Sequence, residues 1–238
     1  MPYGDINFGK LFPCECKQQE MSAGRQARLE RYSNLGPLTH LTFETLIETG
    51  RSSDPKNQEL FKKALAATKA FAKKPDGWLV LTGSSGSGKT HLAASVANNL
   101  IKAGQPALFI VVPDLLDHLR STFSPGSEIS YDELFNQVLN APLLILDDLG
   151  TQSSTAWAQE KLFQIVNNRF NSKLPTIFTT NLMPEELPER LRTRLTDVTL
   201  SQVFLVGESQ HPLMTNISPL ELSLLKTMTF DNFDSQRL

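Results

Sequence analysis

Short apolar runs alternate with amphipathic stretches along most of this chain, and the alternation predicts an α/β fold. Each run has the length of a buried strand and is followed by a segment with apolar residues at helical spacing. Strands separated by helices predict a parallel, doubly wound sheet. The pattern predicts five strands, at residues 78–82, 107–112, 143–148, 176–181 and 198–206.

Helix-start signals and apolar periodicity predict the segments between the strands. Asp54 before Pro55 is typical of an N-cap followed by proline at the first helical position, and the helix it opens ends before Pro75. A further helix opens at Asp114 and carries Phe123 on its apolar side. Other helices are predicted at residues 91–100, 131–140, 157–171 and 185–195.

The composition is that of a globular chain with one large α/β domain and small extensions. Its 238 residues are 40% hydrophobic and 20% charged, as expected for a packed core with a solvated surface. A net charge of −2 gives no basic signal for nucleic acid over the whole chain. No apolar run is long enough to span a bilayer and no signal-peptide pattern occurs, so we expect a cytoplasmic protein without a membrane partner.

The two ends of the chain differ from its middle. Residues 1–37 are polar and weakly periodic and predict an N-terminal arm, whereas residues 38–206 hold the alternating strands and helices. Residues 207–238 predict a tail with one short helix. Cys14 and Cys16 lie in the arm, but a structural zinc site needs four ligands and there is no second cysteine pair, so zinc is not expected.

Candidate chemistry begins at the loop after the first predicted strand. Residues 83–90 fit the G-x-x-x-x-G-K-[ST] pattern of a phosphate-binding loop, with a strand before and a helix after it. Lys89 would reach the β- and γ-phosphates of a nucleotide, and Thr90 would hold Mg²⁺. A glycine-rich turn with a chance lysine is the alternative, and the flanking elements count against it. The residues predicted to bind the nucleotide are Gly83, Ser84, Ser85, Gly86, Ser87, Gly88, Lys89, Thr90 and His91.

Polar residues end two later strands, where ligands bind in parallel sheets. Asp147, 58 residues after Lys89, and Asp148 end an apolar strand. Asp147 would assist Mg²⁺, and Asp148 would point toward the γ-phosphate and polarise the attacking water. Asn181 ends the next strand and would hydrogen-bond the γ-phosphate or that water. Solvation of strand ends by the acids and a turn role for Asn181 are the competing interpretations.

Arginines recur in the last predicted helix, where Arg190 and Arg194 are candidate catalytic residues. An arginine supplied in trans by a neighbouring subunit can stabilise the charge that develops on a transferring phosphate. A solvated basic helix is the more usual explanation of such a run.

These motifs together resemble AAA+ ATPases of the DnaC/DnaI helicase-loader and IstB group. The resemblance is carried by residues 41–43, 83–92, 143–150, 179–181 and 189–195, and it covers about residues 38–206. It implies a P-loop NTPase fold of three layers, with a parallel five-stranded sheet between helices, and ATP with Mg²⁺ as cofactors. It also implies ATP hydrolysis at a subunit interface, oligomerisation, contact with single-stranded DNA and loading of a replicative helicase.

Departures from the family pattern bear on that function. Asp148 stands where many AAA+ enzymes have Glu, so we expect slow hydrolysis. No lid with a sensing arginine is evident after Val206, which predicts a reduced C-terminal lid, and the N-terminal arm resembles the remnant of a cysteine-rich module. In related initiators a helical insert contacts DNA, but residues 114–140 contain Arg120 as their only Lys or Arg, which argues against direct DNA binding there.

Two questions stay open in the sequence. Residues 228–233 resemble residues 41–46, either by chance or because the chain derives from a longer tandem ATPase. The leading functional hypothesis is a helicase-loader-like ATPase of DNA replication, and the alternatives are an IstB-like helper of a transposase and a nucleotide-binding adaptor with little turnover. The motifs do not separate helicase from transposase as the partner, and they give neither oligomer size nor DNA preference.

Overall fold

The computed structural model describes residues 33–123, 130–152 and 155–207, and in these ranges strands and helices alternate. The predicted arm up to residue 32 with its two cysteines, the tail and the lid lie outside the described residues. The strands are β1 (Trp78–Thr82), β2 (Ala107–Val111), β3 (Leu143–Leu149), β4 (Thr176–Thr180) and β5 (Ser201–Leu205). The helices are α1 (Pro55–Lys73), α2 (Lys89–Lys102), α3 (Val112–Ser121), α4 (Tyr131–Leu139), α5 (Ala156–Asn171) and α6 (Glu189–Leu195).

The strands of the described ranges form one parallel sheet with the order β2-β3-β4-β1-β5. β1 therefore lies between two strands that come much later in the chain: Trp78 is aligned with Thr176 on one side and with Ser201 on the other. Because the strands are parallel, all their carboxyl ends lie at one edge of the sheet, where ligands bind in such folds. The predicted parallel five-stranded sheet is confirmed.

Helices cover both faces of the sheet, which gives the three predicted layers. In β1, Trp78 and Val80 belong to the core shared with α3, α4, α5 and α6, whereas Leu79 and Leu81 belong to the core shared with α1 and α2. Alternate side chains of a strand point to opposite faces, so a strand covered on both sides needs a continuous apolar run. That requirement explains why the strands could be predicted from unbroken apolar runs.

The last helix and strand differ from expectation where turns interrupt the local pattern. The strand expected at 198–206 begins only at Ser201, because the Asp197 carboxylate accepts hydrogen bonds from the backbone and hydroxyl of Thr199, at 2.9 and 2.5 Å, and bends the chain. The helix expected at 185–195 divides into a 3-10 turn, Pro184–Glu186, and α6. Pro188 lies between the two and cannot donate the backbone hydrogen bond that would join them.

Phe123 is not buried in the core, although the sequence predicted it on the apolar side of a helix. α3 ends at Ser121, so Phe123 lies beyond the last helical turn and is 62% exposed. Its ring stacks on that of Tyr131, with 5.2 Å between the ring centroids.

Arg169 of α5 is fully buried and joins three elements. Its guanidinium donates hydrogen bonds of 2.6–3.0 Å to the Thr176 hydroxyl and to the backbone carbonyls of Leu139, Ala141 and Pro175. Burial lowers the pKa of Arg169 to about 9, which leaves the side chain charged at neutral pH. The charge lies at the carboxyl end of α4, where a cation is favoured by the helix dipole.

Residues just before the predicted boundary at 38 pack on β2. The Asn34 backbone donates to the Phe109 carbonyl at 2.8 Å, and its side chain accepts from the Val111 backbone at 2.9 Å. Leu35 is buried beside them. This stretch thus covers the outer edge of β2. The domain boundaries at residues 37 and 206 stay a prediction. In the described part of the chain, no helix is both long and apolar enough to cross a membrane.

Candidate nucleotide-binding site

A cavity of about 400 Å³ lies at the carboxyl ends of β1, β3 and β4. The loop after β1 lines one end of it, together with Asp147, Asp148 and Asn181. Residues 41–51 and the Phe61 ring line the other end. The structure thus brings together residues 85–91 of the predicted phosphate loop, both acids and the asparagine, which lie far apart in sequence.

Glycines in the loop adopt a backbone that other residues rarely take. Gly88 has φ of +102°, and a Cβ atom there would lie 2.9 Å from Cε2 of Phe61. At Gly83, with φ of +139°, a Cβ atom would lie 2.6 Å from the Gly207 carbonyl oxygen. α2 begins at Lys89, directly after this loop, so its first backbone N–H groups and the positive end of its dipole face an anion held there.

The Lys89 ammonium lies over the loop rather than in solvent. It donates to the carbonyl oxygens of Gly83 and Ser84 at 2.9 and 2.7 Å and contacts the Ser87 hydroxyl at 3.4 Å. Gly83 and Ser84 therefore contribute to the site by orienting this lysine. Burial lowers the pKa of Lys89, while the carboxylates of Asp148 and Asp147 favour its charged form.

Asp147 is the buried carboxylate of the site. It accepts hydrogen bonds from the hydroxyls of Thr90, at 3.1 Å, and Thr179, at 2.5 Å. Burial raises the pKa of Asp147, and the bonds from Thr179 and Thr90 oppose that rise. Carboxylate and hydroxyl oxygens are ligands that Mg²⁺ prefers, so this pair fits a Mg²⁺ ion. Among the described residues there is no cluster of three or more His, Cys, Asp or Glu that could hold a metal ion.

Asp148 has a left-handed backbone, with φ of +61°, a conformation that Asp adopts more readily than most residues other than glycine. Two neighbours hold it there: its backbone N–H donates to the Thr179 hydroxyl at 2.9 Å, and its carboxylate accepts from the Asn181 side chain at 3.0 Å. Thr179 thus contacts both acids. Sequence reasoning did not identify it as functional, although its place two residues before Asn181 on the same strand was the available signal.

His91 lines the cavity, but its ring contacts Thr42 and Thr45 and not the phosphate loop. Nε2 lies 3.1 Å from the Thr42 carbonyl oxygen and 3.3 Å from the Thr45 hydroxyl. Phe61 of α1, which sequence reasoning treated only as a helix position, lines the same cavity.

The two candidate arginines lie on α6, away from the cavity lining of their own chain. Arg190 forms an ion pair with Glu160 at 3.2 Å, and its guanidinium carbon lies 3.8 Å from the centroid of the Phe163 ring. Arg194 stacks on Phe170 at 4.6 Å. α6 packs on α5, so a catalytic role for either residue requires a second subunit.

The strand order, the phosphate loop after the interior strand β1 and the paired acids at the end of β3 define a P-loop nucleotide-binding domain of the AAA+ type. The chain belongs to the family described as IstB-like ATP binding protein, which matches residues 16–205. The resemblance drawn from the motifs is thereby confirmed.

Individual relatives agree with this assignment. The replicative helicase loader DnaC of Escherichia coli K12 is 34% identical over 137 residues, 56% of this chain and 56% of that protein. The replicative helicase loader DnaI of Bacillus subtilis is 30% identical over 137 residues, 57% of this chain and 43% of that protein. The chain thus spans about half the length of the curated relatives it matches.

Solved structures share the fold. A crystal structure of the DnaC helicase loader superposes with a TM-score of 0.56 at 25% identity and covers 69% of this chain and 98% of that one. DnaA from Aquifex aeolicus, bound to AMPPCP, superposes with a TM-score of 0.56 at 22% identity and covers 68% of this chain and 48% of that one. The predicted three-layer P-loop fold is confirmed.

Proposed function

We propose that this protein binds ATP with Mg²⁺, hydrolyses it slowly and uses the nucleotide state to switch its action on a replicative helicase. The observation that carries the proposal is the set around Asp147: a buried carboxylate bonded to Thr90 at the start of α2, in one cavity with Lys89. A cation, a helix-terminal hydroxyl and a carboxylate are what an ATP-binding P-loop requires.

Each residue has one task in this proposal. Lys89 and the first turn of α2 bind the phosphates, and Thr90 with Asp147 would hold Mg²⁺, which supplies charge neutralisation at the phosphate oxygens. Asp148 orients and polarises the attacking water, with its carboxylate held by Asn181. Asp148 is one methylene shorter than the glutamate common in such enzymes, which supports slow turnover.

The partner is proposed from the relatives, since DnaC and DnaI are both named replicative helicase loaders. Such a partner would place the protein in the cytoplasm. The match to the IstB-like family keeps open the alternative that the resemblance implied, a helper of a transposase. The restraint of Asp148 by Asn181 favours, as a second candidate, an adaptor that binds nucleotide and turns it over little.

Contact with single-stranded DNA is supported by aromatic rings in the insert, although Arg120 is the only Lys or Arg of that segment. Phe123, Tyr131 and Phe135 stack in succession, with centroid distances of 5.2 and 5.3 Å. Lys161 from α5 lies 5.1 Å from the Tyr131 centroid and supplies a cation beside these rings. Stacking rings beside a cation are suited to unpaired bases.

Replacing Lys89 by alanine tests the nucleotide proposal. ATP affinity, measured by calorimetry with Mg²⁺, should fall by about 100-fold because the phosphates lose a charge-assisted contact. Lys102→Ala, at the exposed far end of the same helix, is the control. Unchanged ATP affinity in Lys89→Ala would remove the basis of the proposal. ATP binding without measurable turnover, with or without single-stranded DNA, would favour the adaptor.

Partner and assembly need separate measurements. Purified helicase and transposase are offered to the ATP-bound and nucleotide-free protein, and ATP-dependent retention of the helicase alone is expected. Arg194→Ala should bind ATP normally but lower hydrolysis, and adding it to wild-type protein should inhibit mixed assemblies. Wild-type turnover in Arg194→Ala would exclude Arg194 as the trans arginine and leave Arg190 to be tested.

A further inference from the structure

One part of the cavity, called the base end below because the base of a nucleotide with its phosphates at the loop would lie there, is formed by a segment with little regular structure. Residues 38–47, called the strap below, contain no α-helix or strand, yet Leu41, Thr45, Leu46 and Ile47 line the cavity. A wall without helix or strand hydrogen bonds must be held in place by other elements.

Asn98 of α2 holds the first part of the strap. It is buried, and its side-chain nitrogen donates to the carbonyl oxygens of Leu38 and Leu41 at 3.0 and 2.8 Å. Both amide hydrogens therefore have acceptors in the strap, and these fix the backbone on either side of residues 39 and 40.

His91 holds the second part from the same face of α2, about two helical turns before Asn98. Because a carbonyl oxygen can only accept, Nε2 must carry a hydrogen and donate it to the Thr42 carbonyl at 3.1 Å. The same ring atom lies 3.3 Å from the Thr45 hydroxyl, which itself accepts from the Thr42 backbone at 3.0 Å. His91 thus contacts the hydrogen-bonded turn between Leu41 and Leu46.

We propose that His91 is a positioning residue that sets the base-binding wall and with it the preference for a purine nucleotide. His91 follows Thr90 directly, so one rigid helix presents the phosphate-binding groups and holds the base wall. The wall is apolar at Leu41, Leu46 and Phe61, which suits the larger face of adenine over that of a pyrimidine. This inference rests on the proposed binding of ATP.

The test compares the affinities of ATP and UTP, which share ribose, triphosphate and Mg²⁺ but differ in the base. Calorimetry is done on wild type, His91→Leu, which lacks a donor, and His91→Gln, which retains a nitrogen donor. His91→Leu should weaken ATP about tenfold, the effect of one lost hydrogen bond in the wall, and leave UTP nearly unchanged. His91→Gln should recover most of the ATP affinity. Asn98→Ala should show the same selective loss, whereas its exposed neighbour Asn99→Ala should match wild type.

Each contrary result has a distinct meaning. Equal weakening of ATP and UTP in His91→Leu, as expected for Lys89→Ala, would show that His91 acts on the phosphates and would overturn the inference while ATP binding stands. Equal affinity of the wild type for ATP and UTP would overturn it as well. Binding of neither nucleotide by the wild type would overturn the proposed function itself. If His91→Leu does not fold, Asn98→Ala decides the inference by the same ratio.

Discussion

The two ends of the cavity are built in different ways. At the phosphate end, the functional groups lie at the ends of regular elements or in the turns beside them. Lys89 begins α2, for example, and Asp147 lies near the end of β3. At the base end, the strap depends on side chains of α2 that are 46 to 60 residues away in sequence. The groups at the phosphate end are therefore positioned by local spacing, and the strap is positioned by long-range contacts.

The largest effect is expected from Asp148→Asn at the phosphate end. The substitution keeps the shape of the side chain but removes the carboxylate that polarises water, so ATP turnover should fall by about 10²–10⁴-fold. ATP affinity should change little, because the phosphates are bound by other groups. Steady-state hydrolysis and calorimetry measure the two quantities. If Asp148→Asn hydrolyses ATP as fast as wild type, another residue of the site must be the general base.

An intermediate effect is expected from Thr179→Val, which removes the hydroxyl that contacts both acids. The variant should lose about 1–2 kcal/mol of unfolding free energy, since the Asp148 N–H is left without its acceptor. It should also lower turnover, and because the lost bond opposed the raised pKa of Asp147, the acid limb of the pH–rate profile should move to higher pH.

Thr180→Val is the matched control for that substitution. Thr180 is equally buried and donates to the Leu149 carbonyl at 2.6 Å, away from both acids. Thr180→Val should lower the free energy of unfolding in urea by a similar amount without moving the pH–rate profile. A shared pH shift in both variants would mean that the profile reports general loosening of β4.

The smallest effect is expected from Gly50→Ala at the base end. Gly50 has φ of +71°, and a Cβ atom there would lie 3.0 Å from Cγ of Phe61. Urea unfolding should show a loss of about 1 kcal/mol from the left-handed backbone, and ATP but not UTP should bind more weakly. Gly88→Ala presses on the same ring from the phosphate loop and should weaken both nucleotides. If both variants changed the affinities for ATP and UTP in the same way, the two ends of the cavity would not act separately on base and phosphates.

The fold was largely predictable because the sheet is parallel and covered on both faces. Buried strands such as β1 then appear as continuous apolar runs. The start of α1 was also predictable from Asp54 and Pro55, and in the structure the Asp54 carboxylate accepts a hydrogen bond from the Asn57 backbone. Strand order was not predictable from these patterns. Arg169 was missed for a similar reason, since a buried arginine cannot be told from a surface one until its carbonyl acceptors are known.

Within the site, local motifs indicated Lys89, Thr90 and Asp147, because each lies at a fixed position relative to a strand end. Thr179 and Asn98 could not be recognised in that way. The role of Thr179 depends on β3 and β4 being neighbours, and that of Asn98 on the path of the strap across α2. Both relationships arise from the tertiary structure and cannot be predicted from the periodicity of the sequence.

The position of β1 between two strands that come later in the chain has a consequence for synthesis on the ribosome. The phosphate loop follows a strand whose two neighbours begin at Thr176 and Ser201, about a hundred residues later. A nascent chain that stops short of Thr176 has made the whole P-loop motif but has no partner strand for Trp78–Thr82, which is buried along its whole length in the folded protein. The sheet that carries the phosphate loop can therefore form only after most of the described chain has been synthesised.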